Sequence, residues 1–247
     1  MSLITIIWSM VAAACLTLGT MHLLVWRKRR RNWADLLFFL AAAGAAGLII
    51  CEMAMLRART PEEFNAMLRL FHIPAWLTIL ALVGFVRHYL RAGRLWLAWT
   101  ICILRSLALL FNFLTGQNSN YLEVTSLRSF PFLGDSASVV EGISNPFALF
   151  GTMAMWLFVI YITDATITVW RRGKRRQALT IGVSIMIFVL MGVVQGIIVL
   201  FQIEAIPVVI GPSFIVLLAV MSYELSYDVI RAAQVTDALL ESEERIA

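Results

Sequence analysis

Charged residues are scarce in this sequence: they make up 14% of its 247 residues, while 61% are hydrophobic and the mean hydropathy is +0.85. A soluble domain of this length cannot bury so much apolar surface. The apolar residues instead form seven stretches of about 20 residues, the length needed to cross a hydrocarbon core about 30 Å thick at 1.5 Å rise per residue. These stretches are residues 3–26, 34–56, 71–90, 95–114, 147–170, 178–202 and 205–225.

Lysine, histidine and cysteine are also rare, and their positions exclude several kinds of site. The two lysines, Lys28 and Lys174, fall in basic clusters outside the apolar stretches, which excludes a retinal Schiff base inside a bundle. The histidines lie at three different depths or sides, so no histidine metal site is predicted. The cysteines are odd in number and all lie inside apolar stretches, which argues against a disulfide framework. We therefore predict no catalytic site, no metal and no cofactor in this chain.

Seven long apolar stretches predict helices, because every backbone polar group in lipid needs a partner within the protein. The expected fold is an all-α polytopic membrane protein with seven transmembrane helices. Small residues crowd the second stretch at residues 41–47, and Gly192 and Gly196 form a GxxxG pattern in the sixth. Both patterns favour close approach of helix backbones, within the bundle or between subunits.

Basic residues lie almost entirely on alternate sides of the predicted spans. Fifteen of the 20 lie at the end of or after the first, third or fifth stretch, or in the C-terminal tail. The positive-inside rule therefore places the N-terminus outside and the C-terminus in the cytoplasm. Because the net charge of +5 is explained by this asymmetry, the expected partner is the lipid bilayer and not nucleic acid.

The longest connection, residues 116–145, is external in this topology and carries the apolar run Phe130, Pro131, Phe132 and Leu133. Such a run in an exterior loop predicts that the loop packs back onto the bundle. It would act there either as a lid or simply as a packed loop, and the sequence leaves both open.

The tail has a different pattern from the rest of the chain. Apolar positions alternate at spacings of four and three, an imperfect coiled-coil seam formed by Leu225, Val229, Ala232, Thr236, Leu239, Glu243 and Ile246. We predict a sensor domain over residues 1–225 and a cytoplasmic coiled-coil signalling helix over 226–247 that forms a homodimer. A surface amphipathic helix is the alternative. Pro207 and Pro212 are expected to kink the seventh span and make it a movable output element.

Polar side chains inside the spans are candidate functional residues, because ionisable groups are costly at bilayer depth. Six of them are predicted to converge on an outward-facing cavity for a small, partly apolar ligand: Glu52, His72, Trp76, Arg105, Asn112 and Gln195. Glu52 and Arg105 are expected to be partners or to clamp a ligand. The alternative is a buried ion pair and hydrogen-bond network that fixes helix order.

The chain resembles the seven-helix N-terminal sensor region of bacterial membrane histidine kinases over nearly its whole length. The resemblance rests on loose patterns around Glu52, Pro74, Asn112 and residues 132–147, on Trp170 to Gly173, and above all on the segment from Leu239 to Arg245. That segment is similar to linkers that lead into PAS domains. The resemblance implies a multi-pass protein of the bacterial inner membrane, with PAS and kinase domains following and a response regulator as partner.

Together with this topology, the resemblance implies the signal-input domain of a two-component sensor kinase, which passes a periplasmic or membrane-derived signal to cytoplasmic domains. Two other hypotheses stay open, a small transporter or channel subunit and a membrane scaffold. The odd number of spans, the lack of visible inverted repeats and the terminal helix argue against a transporter.

Overall fold

The computed structural model describes residues 2–28, 30, 32–201 and 209–244; the side chains of Pro212, Asp228, Val229 and residues 231–244 lie outside that description. The described residues form helices and one β-hairpin. The elements are α1 (Leu3–Lys28), α2 (Trp33–Leu56), α3 (Pro61–Tyr89), α4 (Leu95–Leu114), β1 (Tyr121–Phe132), β2 (Asp135–Ser144), α5 (Ala148–Arg171), α6 (Arg175–Gln177), a π-helical turn (Ala178–Gly182), α7 (Val183–Phe201) and α8 (Gly211–Glu244).

Six helices among the described residues are long and apolar enough to cross a membrane, which indicates a multi-pass membrane protein. Five are α1 to α5, and the sixth is the continuous helix Arg175–Phe201, made of α6, the π turn and α7. The seventh span stays a prediction. The apolar part of α8 is Ser213–Tyr227, shorter than a span, and the start of the predicted stretch lies among residues 202–208, outside the described residues.

The long helices form a closed ring. Each packs against the next in the order α1, α2, α3, α4, α5, α7 and α8, and α8 returns to α1. Short connections make neighbouring helices antiparallel, so the bundle has two ends. We name them the hairpin end, where β1 and β2 lie, and the basic end, where α1 stops at Lys28 and α5 at Arg171. Helix α2 is the most buried span, because it packs against α8 as well as α1 and α3.

The β-hairpin corrects the expectation of an all-α fold in which residues 116–145 form only an external loop. Strands β1 and β2 pair antiparallel around Leu133 and Gly134, both of which have positive φ, 53° and 74°. A two-residue turn with left-handed backbone suits the twist of a hairpin, and glycine adopts it at little cost. Val139 and Ala137 are buried on one face of β2 and anchor the hairpin to the bundle.

Helix α3 begins ten residues earlier than the stretch 71–90 predicts. The Thr60 side chain accepts a hydrogen bond from the Glu63 N–H, Pro61 occupies the first turn, and Glu63 accepts from the Arg59 N–H. Such a reciprocal cap satisfies amide groups that a helix start leaves without partners. Hydropathy missed this start because the capped turns are polar.

The C-terminal elements bear on the predicted output helix. Helix α8 runs unbroken from Gly211 to Glu244, so apolar stretch and tail are one helix. Pro212 lies in its first turn and therefore begins the helix, where its missing N–H costs nothing, and does not kink it. Pro207 lies outside the described residues. Leu225 is buried in the core, while Val229, Ala232 and Leu239 belong to α8 without described side chains.

The small residues of α2 allow α2 and α3 to approach closely, as their pattern predicts. A methyl group added at Gly44 would meet Thr78 Oγ1 and would lie 3.1 Å from the backbone oxygen of Pro74. On α3, a methyl group at Gly84 would lie 3.0 Å from a terminal carbon of Leu37, a flexible side chain. The obstacle at Gly44 is partly backbone, whereas the Leu37 side chain near Gly84 can move.

We expect Gly44→Ala to lower the free energy of unfolding by about 1–3 kcal/mol, because overpacking against a fixed backbone outweighs the better helix propensity of alanine. Gly84→Ala is the matched control and should change stability less, since Leu37 can change rotamer. Thermal unfolding of the solubilised chain measures both. Equal effects at the two positions would show that the α2–α3 spacing adjusts freely.

Candidate functional site

A cavity of about 120 Å³ lies between α3, α4, α5 and α7 and reaches the base of the hairpin. This volume accommodates several water molecules or a small organic ligand. Its walls are mainly apolar and carry a few polar side chains from different elements. Among the described residues the polar ones are His72, Arg105, Ser119, Asn120, Thr152 and Gln195.

Three of the six predicted ligand-binding residues meet at this cavity. His72 comes from α3, Arg105 from the middle of α4 and Gln195 from α7. They were candidates because polar groups are costly within spans, with His72 and Gln195 predicted at similar depth and Arg105 near the middle of its span. The structure supplies their direction around each helix axis, which depth alone does not determine.

Arg105 is the main charged group of the cavity. Its Nε is buried and has no hydrogen-bond partner among the described residues, and no described carboxylate forms an ion pair with it. On the neighbouring α5, the side-chain position of Gly151 is open: a methyl group there would lie 3.4 Å from Arg105 Nη1 and near no other atom within 4 Å. The guanidinium group therefore borders empty space.

His72 and Asn112 hold the base of the hairpin against the cavity. His72 Nε2 lies 3.0 Å from Ser119 Oγ, and the Ser119 N–H donates to Asn112 Oδ1 over 3.0 Å. Asn112 in turn donates from Nδ2 to the backbone oxygen of Arg69, 2.9 Å away. Asn112 thus fixes the hairpin to α3 and α4 and does not line the cavity.

Asparagines continue this network across the hairpin base. Asn118 Nδ2 donates to Asn65 Oδ1 on α3 over 2.7 Å, and Asn145 Nδ2 donates to the backbone oxygen of Asn118 over 2.8 Å. Next to them Tyr121 is buried, which raises its pKa to about 12. Ser119 and Asn120 consequently form a fixed roof over the cavity.

The apolar run in the predicted lid lies elsewhere. Phe132 packs edge-on against Trp8 of α1, with ring centroids 6.2 Å apart, whereas Phe130 and Leu133 are 39% and 43% exposed. None of the three lines the cavity. The segment packs back through Phe132 alone, and the residues that cover the cavity are polar.

Glu52 does not pair with Arg105, which corrects that expectation. Its buried carboxyl group accepts hydrogen bonds from Trp8 Nε1 over 3.0 Å and from the N–H groups of Ile210 and Gly211 over 3.1 and 2.8 Å. An acidic side chain at a helix start is favourable because the first amide groups there lack intrahelical acceptors. Glu52 therefore joins α1, α2 and the beginning of α8.

Ile210 connects this junction to the cavity. Ile210 lines the cavity, and its N–H donates a hydrogen bond to Glu52. The next residue, Gly211, begins α8. Trp76, by contrast, donates from Nε1 to Ser106 Oγ over 3.0 Å and braces α3 against α4 outside the cavity lining.

Further side-chain contacts hold α8 near the basic end. His22 Nε2 lies 3.1 Å from Ser222 Oγ, and His22 Nδ1 lies 2.8 Å from Asp35 Oδ1. On the other side of α8, Glu224 is 3.3 Å from Arg176 Nε and accepts a hydrogen bond from Thr180 Oγ1 of the π turn. These contacts tie α8 to α1, α2 and α6.

Sequence reasoning missed several of these residues. Trp8 carries an indole N–H that needs a partner when buried in an apolar span, and Asp35 is a carboxyl group in the first turn of such a span. Both signals were available. Gly151 and Ile210 carry no such signal, since only their neighbours in space make them part of the cavity.

The Glu52 junction yields a stability prediction. In Glu52→Gln the amide NH₂ replaces one oxygen and faces a donor, either Trp8 or the start of α8. A buried donor without an acceptor costs about 1–3 kcal/mol, so we expect a lower unfolding midpoint of the solubilised chain. The control is Glu62→Gln, at an exposed position in the first turn of α3. Equal midpoints for the two variants would rule out a structural role of this junction.

Comparison of the chain with protein-family models, with curated protein sequences and with solved structures found no match.

Proposed function

We propose that this chain is the membrane signal-input region of a bacterial sensor histidine kinase in the inner membrane. In this proposal the hairpin end faces outward, the basic end faces the cytoplasm and α8 is the seventh span. A small ligand enters the cavity and alters the position of α8, whose tail dimerises and controls PAS and kinase domains. The kinase then acts on a response regulator.

The observation that carries the proposal is that Ile210 belongs to the cavity wall and also directly precedes the first residue of α8. A ligand in the cavity contacts this residue directly, and the Ile210 N–H shares the Glu52 carboxyl group with Gly211, the first residue of α8. Any ligand that prefers one placement of Ile210 therefore also prefers one placement of the α8 start. A ligand shifts such an equilibrium only by the difference between its affinities for the two arrangements.

The far contacts of α8 support a transmitting role. The helix has 34 residues and is roughly 50 Å long at 1.5 Å per residue. About a third of the way along it, Ser222 and Glu224 contact side chains on opposite sides of the helix, from α1 and α6 respectively. A displacement at Gly211 consequently acts on a helix that is restrained again before the tail begins.

The orientation in the proposal has a direct test. In a chain with its three cysteines replaced, Ser136→Cys at the hairpin and Lys174→Cys at the basic end are both exposed positions. An impermeant maleimide should label the first in intact spheroplasts and the second only after permeabilisation, because the positive-inside rule places the basic end in the cytoplasm. The reverse pattern would invert the direction of signalling.

Transmission through the tail is tested by helix phase. Deleting residues 234–237 rotates the following residues by about 40°, whereas deleting 234–240 nearly preserves the seam at 100° per residue. In a chimera with a kinase of known activity, we expect the four-residue deletion to fix kinase output high or low. The seven-residue deletion is the matched control and should leave output near that of the intact chimera.

Identical behaviour of the two deletions would contradict the proposal, because a flexible tether does not depend on phase. Membrane level and labelling pattern of the chimeras, measured in parallel, separate a signalling defect from poor insertion.

A further inference from the structure

We propose that the ligand of the cavity is a small organic anion whose negative group binds Arg105 beside Gly151. This inference rests on the proposed function for its biological meaning, but the binding itself concerns only the cavity. Three observations carry it: the charge of Arg105, which pairs with no described carboxylate, the open space at Gly151 and the composition of the cavity walls.

The first argument concerns charge. A guanidinium group stays protonated in proteins, so Arg105 brings a permanent positive charge into the cavity. Glu52, the buried carboxyl group that the sequence suggested as its partner, is held instead by Trp8, Ile210 and Gly211. No other described carboxylate pairs with Arg105. A buried charge without a partner is unfavourable, and a bound anion removes that penalty.

The second argument concerns space. Arg105 Nε has no partner among the described residues, and Nη1 faces the position where Gly151 lacks a side chain. Neighbouring N–H groups of a guanidinium bind the two oxygens of a carboxylate side by side, which suits an anion lying next to Gly151. Any larger residue at position 151 would occupy that space.

The third argument concerns the rest of the ligand. Phe71, Phe147 and Phe188 line the cavity, with Ser119 and Gln195 as uncharged polar groups. Apolar walls with one charged group favour a ligand with an apolar body and a single anionic group. The cavity volume of about 120 Å³ limits that body to a small one. A carboxylate from solution and the headgroup of an anionic lipid share this chemistry.

The test uses three probes of similar shape: benzoate, benzyl alcohol and benzylammonium. The full chain is placed in phosphatidylcholine nanodiscs, and its unfolding midpoint is followed against probe concentration, since a ligand of the folded state raises the midpoint. We expect benzoate to raise it and the neutral and cationic probes to do so far less. Arg105→Met, which keeps the side-chain length without the charge, should weaken the apparent affinity for benzoate at least tenfold.

The lipid source is examined in the same way without benzoate. Nanodiscs that contain phosphatidylglycerol are compared with phosphatidylcholine alone, and only the part of any stabilisation that Arg105→Met removes is counted. An Arg105-dependent effect of the lipid with none from benzoate identifies a headgroup, and the opposite result identifies a soluble anion.

A resident carboxylate gives an independent measurement. Gly151→Asp places an anion next to Arg105 Nη1, and Gly151→Asn is its uncharged control of the same shape. We expect the Asp variant to unfold at a higher temperature than the Asn variant and to lose its response to benzoate. In the Arg105→Met background the advantage of Asp over Asn should disappear.

The inference is overturned if benzoate and benzyl alcohol act alike and anionic lipid has no Arg105-dependent effect, or if Asp and Asn at position 151 are equivalent. Failure of the proposed function looks different. In that case the anion binds through Arg105, yet the tail deletions alter output identically. Conversely, if kinase output depends on the phase of the tail but no anion binds, the sensor proposal is supported and the anion proposal is contradicted.

Discussion

The hydrogen bonds of Glu52 join three helices of the bundle, α1, α2 and α8, and the cavity wall depends on this junction. A single carboxyl group on the most buried helix accepts from α1 through Trp8 and from the beginning of α8 through Ile210 and Gly211. In an apolar interior no water replaces Glu52 as an acceptor for these N–H groups, so the position of α8 relative to α1 and α2 depends on this group. The cavity depends on it too, because Ile210 forms part of its wall.

Polar groups in this bundle fall into two classes that look alike in the sequence. Glu52, Asn112 and Trp76 have their hydrogen bonds satisfied by the protein and fix helices or the hairpin in place. Arg105 differs, since it lines the cavity and its buried Nε has no described partner. A side chain whose hydrogen bonds are all made within the protein has no free donor or acceptor for a ligand. This criterion separates structural from binding residues more sharply than depth in the membrane does.

The sequence predicts much of the fold and about half of the candidate site. Hydropathy located six helices, and small residues such as Gly44 predicted where two of them approach closely. His72, Arg105 and Gln195 were found because polar groups are rare in spans. Their partners were not, because depth along a helix says nothing about the direction in which a side chain points. The hairpin was not predicted because its strands show little alternation of apolar and polar residues. The helix start at Thr60 was not predicted because capping residues are polar and hydropathy does not detect them.

The π turn at Ala178–Gly182 has a consequence for how the sixth long helix serves two neighbours. A π turn holds one residue more than an α turn, so the residues before it are about 100° out of phase with those after it. After the turn, Gly192 and Gly196 face Met155 and Thr152 of α5. Before it, Arg176 faces Glu224 of α8. The extra residue therefore sets the angle between the glycine face that packs on α5 and the Arg176 side chain that pairs with α8. Removing a single residue from the turn would rotate Arg176 by about 100° relative to the glycine face and turn it away from Glu224.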